Sequence, residues 1–398
     1  MNVEWSYDRR RGEFGIFGGR YVPEVLWSPL EEVARALDEA IADQDFCRRE
    51  RNWWASRAGR PTALTHLETL STKIGGAQIW AKREDLCLGG AFCVTSAISQ
   101  ALLAKRMGKT RLIGESATGD FGVALGSVGR ALDLEVTVFM GRGAAEEESL
   151  PMERMAALGV KVVTVDGAVR GRSRAMAEAL RTLSVSAESN FYVTSSLASP
   201  QPYPRLVGRA LSIIGQECKD QLAAQAVNPE YVIAPVGSGS FAAGFFEAFI
   251  DERGPQLVGV QAGGEEGSAR DAASLVRGRP GVCLGTRSLV LQDEQGQIEA
   301  AHAGAPGLAM PVAGPQHARW LQEGKVHYVT VTDEEAVQAC RDMTDMEGIF
   351  ASLESAYGLA YAQKLAPTLN SSDHIVVGIT GTRLLDGALV DGNGEERP

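Results

Sequence analysis

Eight short runs of β-branched and aromatic residues, set apart by stretches with helical spacing, constrain this chain more than any other feature. They are QIWAK (78–82), RLIGE (111–115), EVTVFM (135–140), VKVVTV (160–165), YVIAPV (231–236), QLVGVQ (256–261), HYVTVT (327–332) and HIVVGIT (374–380). Between most of them apolar residues recur at helical intervals, as in AISQALLAKRMG and LPMERMAALG. Such alternation predicts βαβ units, and hence an α/β fold whose parallel sheets carry helices on both faces. A chain of 398 residues, 44% of them hydrophobic, is long enough for two domains sharing one interface. The stretch 263–307 is rich in Gly and polar residues and reads as long loops with little regular structure. Loops of that length are more often functional than idle.

Charge and cysteine usage narrow the partners. The formal charge is −11 and no Lys/Arg cluster is interleaved with aromatics, so nucleic acid is not expected. The start, MNVEWSYDRRRGEFG, has no apolar core of a signal peptide, and no stretch approaches the roughly 18–20 apolar residues of a membrane span. A cytoplasmic protein without a membrane partner is the expectation. Cys47, Cys87, Cys93, Cys218, Cys283 and Cys340 show no CxxC spacing, so neither a disulfide framework nor a metal site is expected.

One anion signal stands out. YVIAPV runs directly into Gly237, Ser238, Gly239 and Ser240, and a helical pattern begins there. Amides at such a turn form a natural phosphate site, and glycines let the backbone approach the ligand. The spacing is not G-x-G-x-x-G, and a tight strand-to-helix turn demands small residues for packing alone.

The chain resembles the β subunit of tryptophan synthase, a fold-type II family that uses pyridoxal phosphate. The resemblance rests on GEFGIFGGRYVPEVL, GRPTALTHL, KREDLCLGGA, QALLAKRMGK, PQPYP, GSGS, VAGPQHA, EGIFASLESAYGLA and the strand ending in ITGT, all in the family's order. It implies two doubly wound, mainly parallel-sheet domains. The N-terminal one would take 1–58 and 92–210, with a mobile subdomain at about 108–195; the C-terminal one would take 59–91 and 211–398 and carry the phosphate loop. In the family a lysine within Thr-Gly-Ala-His-Lys-Ile-Asn forms a Schiff base with the cofactor. The same register here gives Gly89, Gly90, Ala91, Phe92, Cys93, Val94 and Thr95, which puts a thiol at the lysine position and Phe92 at the histidine. A thiol cannot make that link. Of the eight lysines, Lys82 is nearest in sequence, and in the family it points elsewhere.

Other family contacts differ as well. Phe241 replaces the asparagine of the phosphate loop, Thr380 keeps the hydroxyl that meets the pyridine nitrogen, and Ala309 stands for an aspartate that positions substrate. Cys283 and Leu284 fall where a tyrosine and a phenylalanine line the indole passage. The turn that receives the substrate carboxylate corresponds to Ser116, Ala117, Thr118, Gly119, Asp120 and Phe121. Glu115 matches the family glutamate that moves protons, and Glu354 one close to the cofactor ring.

These replacements lead to an expectation of no cofactor, with at most weak non-covalent binding of pyridoxal phosphate or phosphate. The cavity would be more apolar, with Phe92, Val94, Phe121, Phe241, Leu284 and Met310 in its wall. Ser116, Gly119, Asp120, the 237–240 turn and Thr380 would complete the ligand site. Glu115 would be the main acid or base, with Glu354 beside it and Cys93 either a nucleophile or an inert replacement. The expected function is cofactor-independent cyclisation, isomerisation or carbon–carbon bond formation on an aromatic, indole-like molecule of specialised metabolism. Two alternatives stand beside it: a non-catalytic binding or partner subunit, and a tryptophan synthase β chain, a lyase, with non-covalent use of the cofactor. The resemblance implies a homodimer. Pairing with an α subunit is disfavoured, because the lysine that signals to it corresponds to Ser173.

Overall fold

The computed structural model describes residues 13–147, 149–166, 172–251, 254–266, 268 and 270–382. The expected domain limits at 1 and 398, and Gly12 of the GEFG motif, lie outside them.

Two sheets organise the chain. The larger has six strands, in the order His327–Val331, Gln256–Ala262, Tyr231–Pro235, His374–Ile379, Gln78–Arg83 and Leu64–His66. All neighbours are parallel except the last pair, where Leu64 faces Lys82 in antiparallel register. The second sheet is wholly parallel, in the order Lys161–Val165, Glu135–Gly141, Arg111–Glu115 and Asn190–Val193. Helices cover both sheets, giving the α/β fold expected from the alternation of elements.

Each expected strand exists within a residue or two of its predicted ends. They read clearly because they are buried: Ile375, Val376 and Val377 at the centre of the six-stranded sheet are fully enclosed. Burial of each such side chain contributes roughly 1.5–3 kcal/mol. Helix starts follow local chemistry. Thr332 and Glu335 form a capping box at the head of Asp333–Glu347, and the Ser352 hydroxyl accepts the Ser355 amide to open Leu353–Leu365.

The stretch 263–307 departs from expectation. It contains a short helix, Ser274–Arg277, and a hairpin of Arg279–Cys283 with Thr286–Val290. The hairpin turns through Leu284 and Gly285, both at positive φ, and joins a small antiparallel sheet with Phe17–Gly18. Pro280 and Gly281 hide this strand in the sequence. They are tolerated because the strand is at the edge of its sheet, where a missing donor costs no ladder bond.

Candidate active site

The C-terminal ends of three strands meet around one cavity of about 140 Å³. Arg111–Glu115 leads into Ser116 to Phe121, Tyr231–Pro235 into Gly237 to Phe241, and His374–Ile379 into Thr380 to Thr382. A crevice at the carboxyl ends of parallel strands is where α/β folds place ligands.

The turn after Pro235 is the site's candidate anion cradle. Gly239 sits at φ +85°, and a Cβ there would come within 2.1 Å of His317 Nε2, so only glycine fits. The helix it opens, Ser240–Phe246, is only seven residues long. The loop carbonyls are committed: Ser238 accepts from the Gly314 amide (2.9 Å), and Gly239 accepts from the Ala243 amide (2.8 Å) and from His317 Nε2 (2.7 Å). Among the described residues, no acceptor meets the amides of Gly237, Ser238, Gly239, Ser240 or Phe241.

Opposite stands a chain of hydroxyls. Thr380 Oγ1 lies 3.0 Å from Ser355 Oγ, which in turn receives the Thr380 amide (2.9 Å) and lies 2.9 Å from Ser352 Oγ. Glu354 extends the same wall and accepts the Gly307 amide at 3.0 Å. The apolar lining is aromatic. Phe92 and Phe241 meet edge to face with centroids 5.4 Å apart. Phe121 joins the core beneath the cavity.

Cys93 opens the helix Cys93–Arg106 on the cavity wall. Burial, with the nearby Asp120 carboxylate adding to it, pushes its thiol well above the ordinary value. The thiol is therefore protonated at neutral pH, a poor state for the expected nucleophile. Asp120 also lines the cavity, and the Thr118 hydroxyl donates to its carboxylate at 2.9 Å. Ser116 Oγ, buried in the same wall, has no hydrogen-bond partner among the described residues.

The first turn of this helix is braced from behind. The Arg60 guanidinium donates to Thr95 Oγ1 (3.0 Å) while held by both Glu84 (2.7 Å) and Glu217 (2.9 Å). Lys82 completes this buried cluster with its ammonium on Glu217, Gln221 and the Thr62 carbonyl. No lysine is among the described residues that line the cavity.

Most sequence-derived site residues therefore converge: Phe92, Cys93, Ser116, Asp120, Phe121, the 237–241 turn, Glu354 and Thr380. Five do not line the cavity: Val94 is buried in the core behind it, Leu284 packs beside Cys283 and Met310 away from it, and Glu115, Gly119 and Met310 are placed as follows. Glu115 ends its strand pointing into protein, where it accepts from Thr194 Oγ1 at 2.7 Å and helps burial raise the Tyr192 phenol. Gly119, at φ +81°, packs on Pro151 and turns the chain into Asp120–Leu132. Met310 packs with Ala198, Cys283, Val290 and Val312. Ser195, Ser352 and Leu308 were not foreseen in the wall. Ser352 carried a signal as the cap before LESAYG, and Ser195 follows the short strand Asn190–Val193, which the sequence reading lacks.

A strand-end crevice whose wall combines free amides, hydroxyls and aromatic rings has the make-up of a small-molecule site. The chain belongs to the family of pyridoxal-phosphate dependent enzymes, whose profile matches residues 55–381. It is 41% identical over 373 residues to the tryptophan synthase beta chain of Leptothrix cholodnii, covering 93% of this chain and 87% of that one. It is equally similar, 41% over 374 residues, to the tryptophan synthase beta chain of Bordetella parapertussis, covering 93% and 94%.

These matches correct two expectations. No cofactor and a catalysis independent of it are expected from the sequence; the family is one of pyridoxal-phosphate dependent enzymes, and both relatives are named tryptophan synthase beta chains. The site explains the error. Both expectations rest on the one position where the resemblance sets Cys93 against a lysine, and the other residues of the cavity do not depend on it. The unpartnered amides of 237–241 fit a phosphate, the Thr380 hydroxyl fits a ring nitrogen, and Phe92 and Phe241 fit an aromatic ligand. Among the described residues no membrane-crossing helix occurs.

Proposed function

We propose that this chain is a lyase of the tryptophan synthase β kind that uses pyridoxal phosphate held without a covalent link. The observation that carries the reading is the cavity's combination of a complete anion cradle with a buried, protonated thiol where the resemblance places the family's lysine.

When bound, pyridoxal phosphate supplies an electron-withdrawing ring that stabilises negative charge at the α-carbon of an amino acid. The chain's own residues do the rest. Amides and hydroxyls of 237–241 bind the phosphate, and Thr380, fixed by Ser355, orients the ring. Ser116 and the turn after it receive the amino-acid carboxylate; its buried hydroxyl lacks any partner among the described residues. Asp120 lies in the wall beside Cys93, and it takes the proton from the α-carbon in place of the family's amine. The aromatic walls keep water out. Both relatives are named as beta chains, which supports an assembly with further chains, and a homodimer is part of this reading.

The test is turnover. With added pyridoxal phosphate, the chain should form tryptophan from indole and a β-hydroxy amino acid, or at least exchange the amino acid's α-proton with deuterated water. Asp120→Asn should lower that rate by about 10²–10⁴-fold. No cofactor-dependent product and no α-proton exchange would remove the reading.

A further inference from the structure

His317 belongs to none of the motifs assigned a role above, yet its imidazole is fully enclosed against the turn 237–240. Its two ring nitrogens have different partners. Nε2 lies 2.7 Å from the Gly239 carbonyl, which can only accept, so Nε2 carries the proton. Nδ1 lies 2.8 Å from the Tyr328 hydroxyl, and with its proton on Nε2 it must accept from that phenol. Burial raises the Tyr328 phenol well above its ordinary value, so this donor keeps its proton. Trp320 packs edge-on against the imidazole at 5.3 Å and fixes its plane.

The same turn of chain grips the loop twice. The Gly314 amide holds the Ser238 carbonyl at 2.9 Å, one residue before the carbonyl that His317 holds. Two consecutive carbonyls are thus drawn towards the helix Pro315–Gln322. With these oxygens tied down, the peptide planes of the loop cannot rotate, and the amides between them stay without an internal partner. A loop so constrained is preorganised for an anion, because binding need not order it.

We propose that Tyr328 and His317 form a strut that positions the anion-binding loop, with Tyr328 setting the imidazole tautomer and His317 clamping Gly239. His317 is a positioning residue: it acts on the ligand only through the backbone of Gly239. This inference rests on the reading of 237–241 as a phosphate cradle, and it adds the residues that hold that cradle in shape. It also separates two features of one segment. Gly314 and His317 belong to the GPQHA motif, and this role accounts for both.

Two measurements on the full-length protein test it. The first needs no ligand: hydrogen exchange at the Ala243 and Gly314 amides, whose acceptors are the loop's own carbonyls. His317→Phe should speed both by tenfold or more, Tyr328→Phe by less, and His317→Gln, which keeps an N–H donor, should restore part of the protection. The amides of Ile375 to Val377 should keep their wild-type rates. Unchanged exchange at Ala243 and Gly314 in a folded variant overturns the strut. If His317→Phe does not fold, Tyr328→Phe and His317→Gln carry the test. The second measurement compares affinities for pyridoxal 5′-phosphate and for pyridoxal, which lacks the phosphate. In the strut variants the preference for the phosphorylated form should fall about tenfold while pyridoxal binding is unchanged; an equal loss for both contradicts the proposal. A wild-type chain that binds neither compound refutes the cofactor reading, and the exchange rates still decide the strut.

Discussion

Cys93 and Asp120 share one cavity wall, and burial together with the Asp120 carboxylate keeps the Cys93 thiol protonated at neutral pH. The position that the resemblance assigns to a charged amine thus holds a neutral group beside an acid. On the proposed reading, proton transfer in this site falls to the acid.

Alkylation tests this pairing. Because the thiolate is the reactive form, modification of Cys93 by iodoacetamide should be far slower at pH 7 than that of half-buried Cys47, and should still be rising at pH 10. Peptide mass spectrometry reads both sites in one sample. Rapid, selective labelling of Cys93 at neutral pH would show an activated thiol and return the nucleophile reading.

The buried cluster behind the site should dominate acid stability. Burial alone would raise the Glu84 carboxyl, but Arg60, Lys82 and Thr62 together hold it below its ordinary value of 4.5. Its stabilisation is therefore complete above about pH 4.5 and is lost as pH falls through the lower folded value. Glu84→Gln leaves Arg60 with one carboxylate instead of two and should cost about 3–5 kcal/mol. Urea unfolding at pH 7 and pH 4 measures this, and the variant should lose less on acidification than the wild type.

His317 contributes with the same pH sense for a different reason. Burial lowers its imidazole from 6.5 to about 4, so the folded state binds this proton less readily than the unfolded one. Stability from this group is full above pH 6.5 and drains away between 6.5 and 4, by roughly 3 kcal/mol. His317→Gln should flatten that part of the curve in urea titrations at pH 7, 6 and 5. A wild-type profile in the variant would mean that the imidazole is not held neutral.

Gly239→Ala probes the cradle. A side chain there is strained at φ +85° and meets His317 Nε2 at 2.1 Å. The backbone term alone is about 1–2 kcal/mol. The variant should melt lower and bind pyridoxal phosphate more weakly, which differential scanning calorimetry and equilibrium dialysis measure separately.

What the sequence made legible follows from burial and periodicity. Strands such as Tyr231–Pro235 and His374–Ile379 are apolar on both faces and bounded by polar residues, so their existence and their C-terminal loops could be read directly. Asn190–Val193 is too short to show a period, and Pro280 with Gly281 broke the pattern of Arg279–Cys283. Within the site, residues that form contiguous turns come together: Ser116, Asp120 and 237–241 line one cavity. Glu115 does not join them, because the direction of a strand's last side chain depends on the pleat, and here it turns towards Thr194. His317 lies in the VAGPQHA motif, but its role could not be read there, since that role consists of two contacts made across the fold.

The central claim is a cofactor held without a tether. Equilibrium dialysis of the wild-type protein against pyridoxal 5′-phosphate, followed by borohydride and intact-mass measurement, addresses it directly. The account predicts saturable binding of one molecule per chain and a chain mass unchanged after reduction. Absence of binding, or a reduced adduct fixed to any lysine, would contradict it.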